Sequence, residues 1–192
     1  ASLLPACGHR MQRHEANLVG GGFVRVTCAH GLIDSVRNLG DSQPGAPFIS
    51  PGFIDLQING FAGLDFSDPD FVSGDLDRLL LTLWATGTTT VLPTLISHTP
   101  EALKAAFRKL EGFWKAHLRF ANTAPAYHLE GPYLSPGPSA GAHKAEYMKN
   151  PDWDEFSAIA SAAGDHIALV TIAPEWHGAE AFIRRAVKAG VR

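Results

Sequence analysis

The residue best suited to chemistry is a carboxylate at the end of a short apolar run. The run over residues 124–129 leads to Glu130, and a Gly-Pro pair then stops it. Side chains alternate faces along a strand, so His128 and Glu130 would point to the same side. In α/β folds the carboxyl ends of parallel strands carry the functional site. Glu130 is therefore a candidate site residue, although a glutamate at a strand end can also be a solvated or salt-bridged group.

A second residue that could act at the same place is His143. It lies in the loop over residues 131–143, which is rich in Pro, Gly, Ser and Ala. Glu130 together with a loop histidine forms a candidate site. A histidine in such a loop can also face solvent, so the spacing alone leaves both interpretations open.

The composition is that of an ordinary globular protein. The chain has 192 residues, of which 45% are hydrophobic and 18% charged, with a formal net charge of -3. This is enough apolar material for a core. Because no run of Lys and Arg occurs, the sequence argues against nucleic acid as a partner.

Cysteine usage and hydropathy point to a cytoplasmic protein. Cys7 and Cys28 are the only cysteines and form no CxxC pair, which favours a reducing compartment and leaves a single disulfide open. The first residues are too polar for a signal peptide. The charge-free stretch over residues 79–97 is long enough for a membrane span, but its threonines, glycine and proline favour a helix end followed by a strand.

Residues 1–50 form a predicted β domain of their own. Alternating residues at 23–27, after a glycine turn at 20–22, and a second run at 31–36 predict two strands. So few strands are marginal in water by themselves. We therefore expect part of a small β-sandwich that is completed from elsewhere.

Residues 51–192 form a second predicted domain, built from four strand-then-helix units. Strands are predicted at 53–58, at 88–96, up to Glu130, and at 166–173. Helices are predicted around 76–84, after the N-cap Thr99, at 152–163 and at 179–187. The second helix has one face at clear helical spacing, which consists of Leu103, Phe107, Leu110, Trp114 and Leu118.

Two architectures repeat such units: an open doubly wound sheet and the closed eight-stranded barrel. No phosphate-binding glycine loop follows the first predicted strand, which weakens the nucleotide-binding version of the open sheet. Four units are half a barrel. We therefore expect the first half of a (β/α)8 TIM-type barrel and a chain that is truncated from a longer polypeptide.

Two motifs link the chain to a known family. The segments PGFIDLQING at 51–60 and HLEGP at 128–132 resemble those of the N-acetylglucosamine-6-phosphate deacetylases of the amidohydrolase superfamily. The shorter segments GTTT at 87–90, GAH at 141–143 and APE at 173–175 support the resemblance. It extends over nearly the whole chain from about Gly31 onward.

The resemblance implies a fold and a reaction. The family fold is a (β/α)8 barrel with a small β-sandwich built from both ends of the polypeptide. The implied reaction is hydrolysis of the acetamide of N-acetylglucosamine 6-phosphate, which gives glucosamine 6-phosphate and acetate. It uses one divalent metal ion, with zinc as the expected metal, to activate a water molecule. The implied partner is this small amino-sugar phosphate, with no membrane or nucleic acid, and the full-length enzyme is expected to be a dimer.

The resemblance also assigns residues. Glu130 matches the metal-binding carboxylate, whereas two histidine ligands and a proton-transferring aspartate belong to later strands outside this sequence. His143 matches a catalytic histidine that hydrogen-bonds the substrate near its scissile carbonyl, and Ala142 a main-chain substrate contact. Gln57 and Asn59 stand where many amidohydrolases have metal-binding histidines. Because amides are poor metal ligands, we expect them to hydrogen-bond in the barrel mouth, with a contact to the water on the metal as the alternative.

The remaining polar residues and the alternatives stay open. We expect His128 to pack inside the barrel and leave the roles of His98, Glu175 and His177 undecided. The protein could instead be another amidohydrolase, such as a D-aminoacylase or a dihydroorotase-like enzyme. A third interpretation is an inactive scaffold, because the catalytic set is incomplete within these residues.

Overall fold

The computed structural model describes residues 11–192, apart from the side chain of Ser139. The chain divides into two compact units, of which the first ends at Gly52 and the second is Phe53–Arg192. Cys28 is buried in the first unit. Cys7 lies outside the described residues, so the disulfide stays a prediction.

The first unit contains one four-stranded sheet. Its strands are β1 (Gln12–Leu18), β2 (Phe23–Ala29), β3 (Leu32–Gly40) and β4 (Phe48–Ile49), in the order β3-β2-β1-β4. The pairs β1–β2 and β2–β3 are antiparallel, and β4 adds parallel to β1. Both predicted strands are present, and β1 and β4 were not predicted. The described residues form a single layer here, so the second layer of a sandwich stays a prediction.

The second unit is a mixed α/β structure. Its strands are β5 (Phe53–Ile58), the short pair β6 (Gly60–Phe61) and β7 (Leu64–Asp65), β8 (Thr88–Ile96), β9 (Tyr127–Glu130) and β10 (Ile167–Thr171). Its helices are α1 (Ser73–Ala85), α2 (Pro100–Ala116), α3 (Leu118–Thr123), α4 (Trp153–Ala162) and α5 (Ala179–Lys188). None of the helices in the described part of the chain is long and apolar enough to span a membrane.

The four predicted strands of this unit form one parallel sheet. Its order is β10-β9-β8-β5, so the strands lie side by side in chain order. The parallel α/β architecture predicted from the sequence is therefore confirmed. Over residues 11–192 the outermost strands of this sheet are β5 and β10, and closure into a barrel stays a prediction.

Local sequence signals explain where the helices begin and end. The side chain of Thr99 accepts a hydrogen bond from the Ala102 amide, and Pro100 opens α2. Asp152 caps α4 in the same way. Gly87 follows α1 with φ +87°, a conformation that glycine adopts without strain.

One part of the predicted apolar helix face is wrong. Leu103, Phe107 and Leu110 are buried, but α2 ends at Ala116 and Leu118 is 76% exposed. His117 has extended backbone angles (φ -124°, ψ 96°), so the helical phase restarts at α3. The spacing of the apolar residues runs across this break and conceals it.

The strand that ends at Glu130 has one face in the core. Leu129 is fully buried in a cluster that includes side chains of α1, α2, α4 and α5. Alternation along β9 therefore turns Glu130 away from the helices. The packing of one apolar residue thus decides the direction of the carboxylate.

A buried acidic residue connects α2 to the segment before β10. The carboxylate of Glu111 is 6% exposed and lies 2.7 Å from His166 Nδ1 and 3.7 Å from Lys115 Nζ. Burial, and then the charge of Glu111, raise the pKa of Tyr127 above its ordinary value. Gly164 packs directly against this carboxylate with φ +61°, and a Cβ there would overlap Glu111 Oε2.

We predict that Gly164→Ala lowers the free energy of unfolding by at least about 1 kcal/mol, because an alanine is strained at positive φ and its Cβ would also displace the buried carboxylate. Gly112→Ala is the matched control. Gly112 lies in α2 beside Glu111 with no atom near its missing Cβ, so the change should raise stability by about 0.5–1 kcal/mol. Urea denaturation measures both, and equal effects of the two changes would contradict the packing described here.

Candidate functional site

An open cleft of about 730 Å³ lies at the carboxyl ends of the parallel strands. Asn59, Ile96, Glu130 and Thr171 line it from the ends of β5, β8, β9 and β10, and the loop after β9 supplies residues 140–143. This is the end of a parallel sheet at which α/β folds place their sites. Another cavity, of about 520 Å³, lies beside His166 and Ile167 and contains none of the predicted site residues.

The carboxylate of Glu130 faces this cleft. Its side chain is 18% exposed, and Oε1 lies 3.6 Å from His143 Nε2, which is too long for a hydrogen bond. None of the described residues donates a hydrogen bond to the Glu130 carboxylate. A shielded carboxylate whose lone pairs are left free suits a divalent cation.

Glu130 alone could provide only one ligand of such a site. Within residues 11–192, no three His, Cys, Asp or Glu side chains are grouped closely enough to hold a metal ion. A zinc site needs three protein ligands when it is catalytic and four when it is structural. Glu130 therefore fits a metal site only if further ligands join it.

His143 is held in the cleft by the end of the neighbouring strand β8. Its side chain is 8% exposed. Nδ1 lies 2.8 Å from Ser97 Oγ, and the Ser97 amide points at the same nitrogen from 3.4 Å. The structure therefore brings together His143 and Glu130, which were predicted to form one site. The alternative, in which this loop histidine faces solvent, does not hold in the structure.

Two further contacts fix the loop that carries His143. The ring of Tyr147 stacks on that of His98, with centroids 4.6 Å apart. The Lys149 amide donates to the Pro132 carbonyl. A segment rich in Gly, Pro and Ser is thus tied to β8 and to its own beginning. His98 serves as a stacking partner here.

His128 lies below the cleft and connects three strands. It is 1% exposed, with Nδ1 3.2 Å from Thr94 Oγ1 and Nε2 2.8 Å from Thr171 Oγ1. The Ile58 amide of β5 also donates to Thr94 Oγ1. Burial lowers the pKa of His128, and the charge of Glu130 opposes part of that change. A neutral imidazole therefore ties the sheet together beneath the carboxylate.

The two amide side chains at the end of β5 also line the cleft. Asn59 Nδ2 donates to the Thr94 carbonyl at 3.2 Å. The main-chain amide of Gln57 donates to Asp55 Oδ1, and Gln57 is among the residues that line the cleft. Hydrogen bonding at the barrel mouth and the alternative contact to a water on the metal both stay predictions for this pair.

The other singled-out residues occupy different positions. Ala142 lines the cleft, and its main-chain contact with a ligand stays a prediction. Glu175 is exposed on the rim, where Ser135 Oγ donates to its carboxylate and lowers its pKa. His177 is exposed and is not among the cleft-lining residues.

Sequence analysis missed the hydroxyl groups that hold the site. Thr94, Ser97 and Thr171 all contact a histidine of the site region. Their signal was present: each is a small polar residue at or near the carboxyl end of an apolar strand. Nothing in the spacing, however, shows which histidine each of them meets.

Comparison with known proteins gives a consistent result. The chain is 30% identical over 190 residues to the N-acetylglucosamine-6-phosphate deacetylase of Mus musculus. The aligned region covers 96% of this chain and 45% of that protein. It is 36% identical over 129 residues to the protein of the same name from Haemophilus influenzae, over 66% of this chain and 32% of that protein. No family model matches the chain.

Solved structures agree. The Mycobacterium smegmatis N-acetyl-D-glucosamine-6-phosphate deacetylase D267A mutant, in complex with N-acetyl-D-glucosamine-6-phosphate, superposes with a TM-score of 0.79 at 29% identity, over 94% of this chain and 48% of that one. The Thermotoga maritima N-acetylglucosamine-6-phosphate deacetylase gives 0.76 at 27% identity, over 95% and 47%. The resemblance predicted from the sequence is confirmed, and the chain spans about half the length of the relatives it matches.

The lowered pKa of His128 predicts a pH dependence of stability. In the unfolded chain this histidine takes up a proton near its ordinary pKa of about 6.5, whereas the folded protein resists it until lower pH. The contribution of neutral His128 to the free energy of unfolding is therefore complete above about pH 6.5 and is lost as the pH falls below that value. Thermal unfolding of metal-free protein should show a decline below about pH 6.5 that is smaller in His128→Gln. An equal decline in both would contradict the assignment.

Proposed function

The chain belongs to the N-acetylglucosamine-6-phosphate deacetylase family, and we propose that it is part of an enzyme of this activity. The reaction is hydrolysis of the acetamide of N-acetylglucosamine 6-phosphate to glucosamine 6-phosphate and acetate. The observation that carries the proposal is the convergence of Glu130 and His143, from a strand end and a separate loop, in one cleft. The cleft is of a size that suits a small molecule.

Glu130 is proposed as a ligand of one divalent metal ion, with zinc as the expected ion. Its carboxylate is shielded and accepts no hydrogen bond from the described residues, which leaves its oxygens free for a cation. When bound, such an ion supplies a Lewis acid and a water molecule whose pKa is lowered to roughly 7. The family pattern puts two histidine ligands and a catalytic aspartate outside these 192 residues.

His143 is proposed as the catalytic residue that binds the acetamide carbonyl. Its Nε2 faces the cleft next to Glu130, where a donor would stabilise negative charge developing on the carbonyl oxygen. The main chain at Ala142 is proposed to hold the substrate beside it. Gln57 and Asn59 are proposed to hydrogen-bond at the mouth of the cleft and to hold water there.

A different amidohydrolase activity remains the competing proposal. The alternatives are a D-aminoacylase or a dihydroorotase-like enzyme. Gln57 and Asn59 count against those with paired histidines at the end of the first strand, since amides bind metals poorly. The substrate assay below separates the two.

The first test replaces the proposed metal ligand. In the complete protein, Glu130→Gln keeps the shape of the side chain but removes its charge. Metal affinity and acetamide hydrolysis should each fall by more than about 100-fold, because loss of a residue that only hydrogen-bonds a metal ligand already costs about 10–100-fold. Metal analysis and release of free amine from N-acetylglucosamine 6-phosphate measure the two effects.

Glu146→Gln is the matched control for this test. Glu146 is an exposed glutamate beyond His143 in the same loop, and its change should alter neither quantity. Full metal content and activity in Glu130→Gln would contradict the proposed ligand. Hydrolysis of N-acyl amino acids or dihydroorotate, with none of the sugar phosphate, would favour the competing proposal.

A further prediction concerns the 192 residues in isolation. Phe53, Ile54 and Leu56 of the edge strand β5 are each more than half exposed, and an apolar strand edge readily pairs with another chain. We expect the isolated chain to lack activity, for want of the remaining ligands, and to self-associate. Sedimentation velocity should show concentration-dependent oligomers, and a monomer at all concentrations would contradict the expectation. We propose separately that the complete enzyme is a dimer.

A further inference from the structure

Ser97 holds the histidine of the cleft in a defined orientation. It follows directly after β8 and is 3% exposed. Both of its hydrogen-bond donors, the hydroxyl at 2.8 Å and the main-chain amide at 3.4 Å, lie next to His143 Nδ1. We propose that Ser97 is a positioning residue that keeps His143 in the tautomer with its proton on Nε2.

The main-chain amide decides the tautomer. An amide N–H can only donate a hydrogen bond, so the nitrogen it faces has to accept. A neutral imidazole carries one proton, and an accepting Nδ1 therefore places that proton on Nε2. With the opposite tautomer, two N–H groups would point at each other inside a buried contact.

The hydroxyl of Ser97 reinforces this choice. It has a second acceptor within reach, the main-chain carbonyl of Glu130 at 3.5 Å. Because the main-chain amide already requires Nδ1 to accept, the hydroxyl proton is directed to the imidazole, which is also the nearer of its two acceptors (2.8 against 3.5 Å). The hydroxyl therefore acts as a donor to Nδ1.

The close approach of Ser97 depends on the residue after Glu130. Gly131 has φ +82°, and a Cβ at this position would overlap Ser97 Oγ. Any other residue would push the serine away from the end of β9. The glycine of the motif at 128–132 thus provides the space in which Ser97 reaches His143.

The tautomer has a direct chemical consequence. The Nε2–H group faces the cleft and lies 3.6 Å from Glu130 Oε1, too far to be used up in a hydrogen bond. It is therefore free to donate to a carbonyl oxygen of a bound ligand. The other tautomer would present a lone pair to that oxygen and repel it. This role in catalysis rests on the proposed function, whereas the tautomer itself does not.

The tautomer can be measured without substrate. Long-range ¹H–¹⁵N correlation spectra of histidine-labelled protein distinguish a protonated from an unprotonated ring nitrogen, and loss of the signals in His143→Asn assigns them. In the unaltered, metal-free protein near neutral pH we expect Nδ1 of His143 unprotonated and Nε2 protonated. The reverse pattern, or an averaged one, overturns the proposal, even if no variant of Ser97 folds.

Variants of Ser97 test the cause. In Ser97→Ala the ¹⁵N chemical shifts of the two ring nitrogens of His143 should move towards each other, because the stronger of the two donors is gone. Ser97→Thr keeps a hydroxyl and should restore the separation of these shifts. Ser157→Ala, a serine of α4 that is outside the cleft, should leave the His143 signals in place. Unchanged His143 signals in Ser97→Ala overturn the role of the serine.

Kinetics then separate this inference from the proposed function. On N-acetylglucosamine 6-phosphate, Ser97→Ala should lower kcat by about 10–100-fold, the loss typical of an orienting partner, with little change in KM. A loss confined to KM would overturn the positioning role. A complete protein with the expected tautomer but no hydrolysis of this substrate would refute the proposed function and leave the assignment of the tautomer standing.

Discussion

The geometry of the site depends on the register of three parallel strands. A buried imidazole, His128, is bonded on one side to Thr94 of β8 and on the other to Thr171 of β10. Because side chains alternate along a strand, a slip of one residue would turn Glu130 into the helical layer and Leu129 into the cleft. Two hydroxyl contacts to one ring, together with the burial of Leu129, oppose that slip. The polar network and the apolar core therefore specify the same register.

The second constraint is on the loop that carries the histidine of the cleft. Its composition would favour a mobile segment, since Gly and Ser lose much conformational entropy on ordering. Contacts with the end of β8 offset that cost: Ser97 holds His143, and His98 stacks on Tyr147. The strand thus orders the loop through two adjacent residues. A rigid support of this kind is what a functional side chain on a loop requires.

Sequence analysis predicted the elements that have strong local signals. The bounds of β5 and β8, the N-cap of α2 and the glycine after α1 follow from side-chain period and capping chemistry. The break at His117 was missed because apolar spacing continues across it, and β1 was missed because its polar residues hide the alternation. In the site, the carboxylate and the loop histidine could be named from motifs. Ser97, Thr94 and Thr171 could not, since their partners are 34 to 46 residues away in the sequence.

The sheet also shows how the cleft can gain further groups. On one side, β5 presents exposed apolar residues along an open edge. On the other side, the Arg192 amide donates to Ala168 and its carbonyl accepts from Val170, so main-chain pairing already extends beyond β10. Each strand added in parallel at these edges would bring its carboxyl end to the same rim as Glu130. Side chains from added strands can therefore be placed next to the Glu130 carboxylate, whose lone pairs are free. The part described here need not change, because contacts within the four strands already fix the register and the loop.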